Sequence, residues 1–454
     1  MSNSDLTPRD RFTSRFGIIA AAAGSAVGLG NIWKFPYVAG QGGGGAFLVV
    51  YVLFIAAIGL PVMLSEFSIG RRAQRNAIGS FKNLAPRTPW FLVGVMGVAA
   101  AFLILSFYSA VAGWTLEYII KSFSDAFAGR DEEELNLMFS TFVSGTWRPL
   151  FWQLIFMVLT AWIVVAGIKQ GIEKYTKVLM PLLIVMILVL CVRSITLPGG
   201  GAGLAFLFNP DFSKLTAGTL LGALGQAFFS LSLGMGTLIT YGSYIQKNNN
   251  LSETVIQVSV TDTLIAILAG IAIFPAVFAF NIDPAEGPGL VFITLPNIFQ
   301  QMPGGYFFSI IFFTLLLIAA LTSSISILEV VVAYIVEELH LTRKRATILA
   351  SVMISVLGIF CSLSLGILSD FRIFGLVIFD LMDFTASNLL LPLGGLFIVL
   401  FVGWYLGAGP ARNEISNEGA LRLGYFPLFM FLVRFIAPFA ITLVFIYGLG
   451  LIRI

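Results

Sequence analysis

Histidine and cysteine are almost missing from this chain of 454 residues. There is one His, His340, and there are two Cys, Cys191 and Cys361. A disulfide framework, a Cys/His zinc site and most His-based catalysis are thereby excluded. Charge is also scarce, at 11% of residues, where a soluble domain carries about 25%. That excludes an ordinary water-soluble enzyme. The net charge of +3 comes from 26 basic and 23 acidic residues. This is too balanced for a phosphate-binding surface, so no nucleic-acid partner is expected. What remains is apolar: 58% hydrophobic residues, 43 Phe, 46 Gly and a mean hydropathy of +0.95. Such a composition fits an all-α polytopic membrane protein, in which Gly lets helices approach closely and the lipid bilayer is the solvent.

A membrane span needs about 20 mostly apolar residues. Eleven stretches qualify: 14–39, 46–70, 90–122, 151–168, 172–193, 217–245, 255–281, 306–338, 345–367, 373–402 and 427–452. The chain reads as one transmembrane domain, 1–454, with 1–13 as a cytoplasmic N-terminal segment. The longest loops are 123–150, with the acidic run Asp131 to Glu134, then 194–216 and 282–305. The last holds Pro284, Pro288, Pro296 and Pro303 around an amphipathic piece too short to span, expected to cap one face. The run AAAAGSA resembles a signal-peptide cleavage site. The apolar stretch continues past it to Tyr37, so the first span is expected to stay uncleaved. With the N-terminus inside, seventeen Lys and Arg fall on the inner side and eight on the outer. That bias favours N-inside, and eleven spans then put the C-terminus outside.

Two spans carry the same interruption. The first reads Gly24-Ser-Ala-Val-Gly28-Leu-Gly30-Asn31, and the sixth Ser230-Leu-Ser-Leu-Gly234-Met-Gly236-Thr237. Superposing Gly28 on Gly234 places Gly30 on Gly236. Each Gly costs about 1 kcal/mol of helix stability relative to Ala, so Gly-x-Gly at mid-membrane invites unwinding. Close packing through small residues explains either motif alone. Five spans apart, the two together describe an inverted repeat, 14–193 (spans 1–5) against 217–402 (spans 6–10), with 427–452 outside it. Interrupted segments at matching places point to a binding site at the midplane.

Ionisable groups at membrane depth are Glu66, Glu117, Asp262, Glu329, Asp380 and Asp383. Such groups are costly and commonly functional. Asp262 has few basic neighbours in its span, which suits a bound cation; a protonated or water-exposed carboxyl is the alternative. Asn31 and Ser230 add oxygen ligands on the two broken helices, and oxygen without Cys or His suits a hard cation. Thr322 and Ser323 in span 8 offer a second set of hydroxyls, although each can bond its own helix backbone instead. Lys34 with Asp383, and Arg9 with Glu337, are candidate pairs on the two sides of the site. A channel would need a continuous polar path, and an intramembrane enzyme a base that His340, at the end of span 8, does not supply.

The motifs AVGLGNIWKFPY and GGGGAF, GQAFFSLSLGMGTLITYGSY, and LTSSIS resemble those of the neurotransmitter:sodium symporter family. The match runs from about Phe12 to the C-terminus, and the chain looks like a member of a bacterial branch that carries hydrophobic amino acids. The resemblance implies a leucine-transporter-like fold with discontinuous helices 1 and 6. It implies secondary active transport of an amino acid driven by two sodium ions, with no organic cofactor, in a bacterial cytoplasmic membrane. By the same resemblance, Ala26, Asn31, Ser230, Asp262 and the substrate carboxylate would hold the first sodium. Gly24, Val27, Ala319, Thr322 and Ser323 would hold the second. Ala26, Gly28, Leu29, Gly30, Tyr108, Phe229, Ser230, Ser232, Met235, Ser323 and Ile327 would line the substrate pocket. Lys34 and Asp383 would form the outer gate, and Arg9, Tyr244 and Glu337 the inner one.

Departures from the family pattern carry information. Amine carriers have Asp where this chain has Gly28, so the substrate is expected to bring its own carboxylate. Chloride-dependent relatives have Ser, and many bacterial ones Glu, where this chain has Ala266. Asp262 stands where relatives have Asn, and its charge could replace chloride, which implies chloride independence and proton antiport. A one-residue shift of the alignment would put Thr261 there instead. Lys34 replaces the commoner gate Arg and loses its bidentate fork. Leu29, Phe229, Met235 and Ile327 offer apolar and aromatic walls, and Met is adaptable. Several hydrophobic L-amino acids, aliphatic and aromatic, are expected as substrates. Gly171 and Pro181 share the family's spacing in span 5, where unwinding would admit water to the second sodium site.

Overall fold

The computed structural model describes residues 10–280 and 289–451. Among these residues nine helices are long and apolar enough to cross a membrane. A tenth span is a bent pair, Arg15–Ala26 and Gly30–Gln41, turned by 52° (span 1). Span 6 is in two pieces, Ala217–Ser230 and Thr237–Gly242, each too short to cross alone. The remaining spans are Gly45–Ala73 (span 2), Phe91–Phe123 (span 3), Trp147–Val165 (span 4), Ile168–Ile195 (span 5) and Leu251–Ala279 (span 7). Gly305–Glu338 (span 8), Arg343–Leu363 (span 9), Ile378–Leu406 (span 10) and Phe426–Gly448 (span 11) complete the set. The eleven-span reading holds, and spans 1 and 6 are the two that break.

Several ends and loops differ from the sequence reading. Span 4 stops at Val165 because Gly167, at φ 91°, turns the chain. Span 10 begins at Ile378, after a tight turn in which Ile373 and Leu376 exchange backbone hydrogen bonds of 2.9 and 3.0 Å around Gly375 at φ 82°. The loop 123–150 contains a helix, Glu132–Ser144. Its acidic start is a capping box: Asp131 accepts from the Glu134 N–H at 2.9 Å while Glu134 accepts from the Asp131 N–H at 3.3 Å. The loop 194–216 likewise holds the helix Gly200–Phe208. Pro284 and Pro288 lie outside the described residues.

Span 1 starts at what we term the N-terminal face. On the opposite face, the segment Leu290–Gln301 lies over the bundle as expected. Phe292 stacks on Phe139 of the loop helix (5.5 Å, 4° between planes) and meets Trp114, Tyr118 and Trp33 edge-on. An aromatic roof of this kind supplies apolar area with fixed ring geometry.

The N-terminal face is tied by charge instead. Glu329 of span 8 is fully buried and receives both arms of Arg343, at 3.1 and 2.5 Å. Tyr244 donates to the same carboxylate at 2.7 Å, and Arg343 Nε donates to the Val164 carbonyl at 2.9 Å. The start of span 1 is pinned separately. Glu173 of span 5 accepts from the Thr13 N–H (2.8 Å), Thr13 Oγ1 (2.7 Å) and Ser14 Oγ (2.9 Å), and pairs with Lys177.

Spans 2 and 6 approach through Gly70, where any Cβ would fall on the Ile239 carbonyl oxygen. Gly70→Ala is therefore expected to lower thermal stability in detergent by about 1–3 kcal/mol, the usual cost of overpacking. Glu329→Ala should cost about 3 kcal/mol by leaving Arg343 unpaired in a buried setting. Adding Arg343→Ala should recover part of that loss, and a strictly additive double mutant would argue against the pairing.

Candidate functional site

The two breaks face each other, and their glycines act for different reasons. In span 6, Gly234 and Gly236 adopt φ values of 79° and 75°, which L side chains rarely adopt. Ser232 is also left-handed, at φ 55°. In span 1 the helix ends at Val27, which is extended (φ −75°, ψ 105°). Gly28 and Gly30 are needed there for space. A Cβ at Gly28 would meet the Tyr108 hydroxyl at 2.8 Å and Ser323 Oγ at 3.2 Å, and one at Gly30 would meet the Phe229 ring at 2.9 Å.

Backbone groups freed by the breaks find side-chain partners on other spans. The Leu29 N–H donates to the Tyr108 hydroxyl at 3.0 Å. The Gly30 carbonyl accepts from Gln226 Nε2 at 3.0 Å. The Ser25 carbonyl accepts from Ser232 Oγ (3.0 Å) and Ser323 Oγ (3.2 Å). The Gly234 N–H donates to Glu66 Oε1 at 2.7 Å. Each pairing satisfies a group that has no water to turn to.

Between the breaks lies a buried polar cluster. Asp262 is fully buried. Its Oδ1 accepts from Asn31 Nδ2 at 2.7 Å, and both carboxylate oxygens accept from Ser230 Oγ, at 3.0 and 2.8 Å. Asn31 Nδ2 also reaches the Asp262 carbonyl (3.2 Å) and Ser230 Oγ (3.1 Å), and Asn31 Oδ1 accepts from the Gly28 N–H (3.2 Å). Thr261 points away and donates to the Gln257 carbonyl of its own helix at 2.7 Å. Tyr51 of span 2 joins the cluster by donating to Ser230 Oγ at 3.2 Å. The sequence reading missed Tyr51, because a tyrosine in an apolar span reads as packing until its partner on another span is known.

The other expected positions fall around this cluster. Thr322 donates to the Ile318 and Ala319 carbonyls of its own helix, both at 3.1 Å, while Ser323 crosses to span 1. Gly24 faces Thr322, whose Cβ would lie 3.2 Å from a side chain there, with Met180 and Thr176 of span 5 beside it. Val27 and Ala26 are buried at the end of the first half-helix. Met235 sits between the two left-handed glycines, and Ile327 lies one turn past Ser323; both are buried. Phe229 is half-buried and carries Lys34 Nζ over its ring at 4.3 Å.

The structure does not join the expected outer pair in a direct ion pair. Lys34 rests on Phe229 with no ion pair among the described residues, and Asp383 accepts from Ser387 Oγ at 2.7 Å. Arg9 lies outside the described residues. Glu337 accepts from the Asn76 N–H (2.8 Å) and Nδ2 (2.9 Å). Tyr244 donates to Glu329, which also holds Arg343, a tie on the N-terminal face that the sequence reading did not make. Ala266 is buried one turn past Asp262. In span 5, Gly171 falls in a π-helical stretch, Ile168–Glu173, rather than in an unwound one.

The donor set between the breaks is oxygen only, and no group of three His, Cys, Asp or Glu occurs among the described residues. Mixed hydroxyl, amide, carbonyl and single-carboxylate oxygen suits a small monovalent cation better than a transition metal.

Comparison with known proteins agrees with this geometry. The profile of the Sodium:neurotransmitter symporter family matches residues 9–136 and 132–453. An uncharacterized sodium-dependent transporter, YhdH, of Bacillus subtilis (strain 168) is 43% identical over 97% of this chain and 98% of its own length. A second uncharacterized sodium-dependent transporter, from Haemophilus influenzae, is 37% identical over 97% of this chain and 98% of its own. Among solved structures, MhsT in complex with L-phenylalanine is similar at a TM-score of 0.89 and 50% identity, covering 97% of this chain and all of that one. With broken spans 1 and 6 enclosing a buried oxygen cluster, and with matches that run the length of the chain, the protein belongs to the sodium:neurotransmitter symporter family, whose members are transporters and not enzymes.

Proposed function

We propose that this protein is a sodium-coupled symporter that takes up hydrophobic L-amino acids by alternating access. The observation that carries the reading is the buried cluster in which the Asn31 amide and the Ser230 hydroxyl, one from each broken helix, meet the Asp262 carboxylate of span 7. The phenylalanine bound in the similar MhsT structure supports an amino acid as substrate. Buried Leu29, Met235 and Ile327, with the Phe229 ring, supply apolar walls and no charge. Two ions would be carried. The first would rest on Ala26, Asn31, Ser230, Asp262 and the substrate carboxylate. The second would rest on Gly24, Val27, Ala319, Thr322 and Ser323, tying span 1 to span 8. Sodium that completes its shell with the substrate carboxylate raises substrate affinity, and reciprocity requires the converse.

Asp262 supplies a resident negative charge beside the first ion, so transport would not need chloride. When sodium leaves, the same carboxylate is a place for a proton to return, which would make the cycle a proton antiport. Spans 1, 2, 6 and 7, two from each of the inverted halves 14–193 and 217–402, would rock against the rest, with Lys34 and Asp383 on the outer path. Arg9, Tyr244 and Glu337 would stand on the inner one. The basic bias of the loops supports an N-terminus in the cytoplasm and a C-terminus outside, in the cytoplasmic membrane of a bacterium by the resemblance.

Uptake of labelled leucine or phenylalanine into proteoliposomes tests the reading. Uptake should be saturable, uphill, dependent on sodium over potassium and unchanged when chloride is replaced. A leak that only runs downhill would indicate a channel, and binding without uptake a receptor. Unlabelled Leu and Phe should compete, while Lys, Glu and Gly should not. Asp262→Asn keeps the shape and removes the charge. It should raise the sodium concentration for half-maximal uptake by about tenfold, within the range of a partly screened charge pair. An unchanged sodium dependence would remove Asp262 from the ion site.

A further inference from the structure

Spans 4, 5 and 9 present exposed apolar side chains to the surrounding lipid, and at the N-terminal face the stripes of spans 5 and 9 end in cations. On span 5, Lys174 stands one turn before Val178, which is followed by Val185 and Val189. On span 9, Arg345 stands one turn before Leu349, which is followed by Val352 and Val356. Span 4 packs against both and carries, in its last turn, Trp162, which is 62% exposed and meets the Tyr175 ring edge-on at 5.5 Å. Arg343 bonds the Val164 carbonyl at 2.9 Å and so holds the start of span 9 against the end of span 4. Lys169 and Lys344 extend the patch, and all four cations are exposed.

None of the four is in an ion pair among the described residues. The nearby acids are otherwise engaged: Glu173 pairs with Lys177, Glu329 with Arg343, and Asp10 accepts from the Ile168 N–H at 3.4 Å. Lys344 and Arg345 also sit in the first turn of span 9, where the helix carries partial positive charge of its own, and Thr342 provides no side-chain cap. Four cations outside any ion pair among the described residues, two of them at the head of lipid-facing stripes and all beside an exposed tryptophan, have the charge and depth of a headgroup contact. Long basic side chains reach the phosphate level while their stems stay among acyl chains.

We propose that the N-terminal face around spans 4, 5 and 9 binds the headgroup of an anionic phospholipid, with Lys169, Lys174, Lys344 and Arg345 as its contacts. The bound lipid braces the start of span 5 against the start of span 9, next to the Glu329–Arg343 tie. The inference rests on the cytoplasmic placement of this face. Its test reads lipid binding and not uptake, so its failure would leave the transport reading standing.

The experiment titrates the purified full chain in detergent with phosphatidylglycerol, cardiolipin or phosphatidylcholine. Native mass spectrometry counts retained lipid, and thermal unfolding reports stabilisation. The two anionic lipids should be retained and raise the Tm, and phosphatidylcholine should do neither. Lys169→Gln, Lys174→Gln, Lys344→Gln and Arg345→Gln together should weaken retention by about fivefold per charge removed. The arginine versions of the three lysines should retain lipid like the native chain, which separates charge loss from misfolding. Arg75→Gln, Arg87→Gln, Arg412→Gln and Arg422→Gln, elsewhere on the same face, should change little. Equal losses in both sets would reduce the effect to diffuse surface charge and overturn the proposal. Unchanged retention in the patch variant would also overturn it, as would equal stabilisation by inorganic phosphate alone.

Discussion

A helix broken inside a hydrocarbon layer exposes backbone groups that no solvent can reach, and each must be answered by another part of the protein. That constraint organises the centre of this molecule. The breaks in spans 1 and 6 survive because Tyr108, Gln226, Ser232, Ser323 and Glu66 supply the missing partners from spans 2, 3, 6 and 8. The same pairings lock the two half-helices to the scaffold around them. A polar cluster can then be assembled between the breaks, with Asp262 held among Asn31 and Ser230 in full burial.

The two faces close by different physics. On the face away from the N-terminus, rings pack edge to face around Phe292, a contact that tolerates small sliding displacements. On the N-terminal face, Glu329, Arg343, Glu173 and the start of span 1 are joined by charge-assisted hydrogen bonds, which are short and directional. The first kind of closure is set by apolar area. The second is set by geometry and fails more abruptly when one partner is removed.

The span count, the two breaks and the polar residues that meet between them are legible in the sequence, because each rests on a local signal. Runs of about 20 apolar residues mark spans, and paired Gly-x-Gly motifs mark breaks. Why the glycines are there is not legible. Gly234 and Gly236 answer to backbone conformation, and Gly28 and Gly30 to neighbours from spans 3, 6 and 8. The helix at Glu132 was within reach, since Asp131 and Glu134 form a capping box whose spacing is visible in the chain. Tyr51 and the Glu329–Arg343 pair were not, since their meaning depends on partners brought near only by folding. Lys34 shows the reverse case: opposite charges on the expected spans do not pair when a ring offers the cation a closer seat.

Several spans contain π-helical stretches, among them Gly30–Lys34, Ile55–Gly59, Ile168–Glu173, Phe384–Leu390 and Phe401–Leu406. Such a stretch is an α-helix that has accommodated an additional residue, so everything beyond it is turned by about 100°. Span 10 contains two of them and therefore has three rotational phases along its length. A single helical wheel drawn for such a span assigns part of it to the wrong face. The lipid-facing and core-facing sides have to be drawn afresh after each stretch, and removing one residue there would leave a regular helix aimed in a different direction.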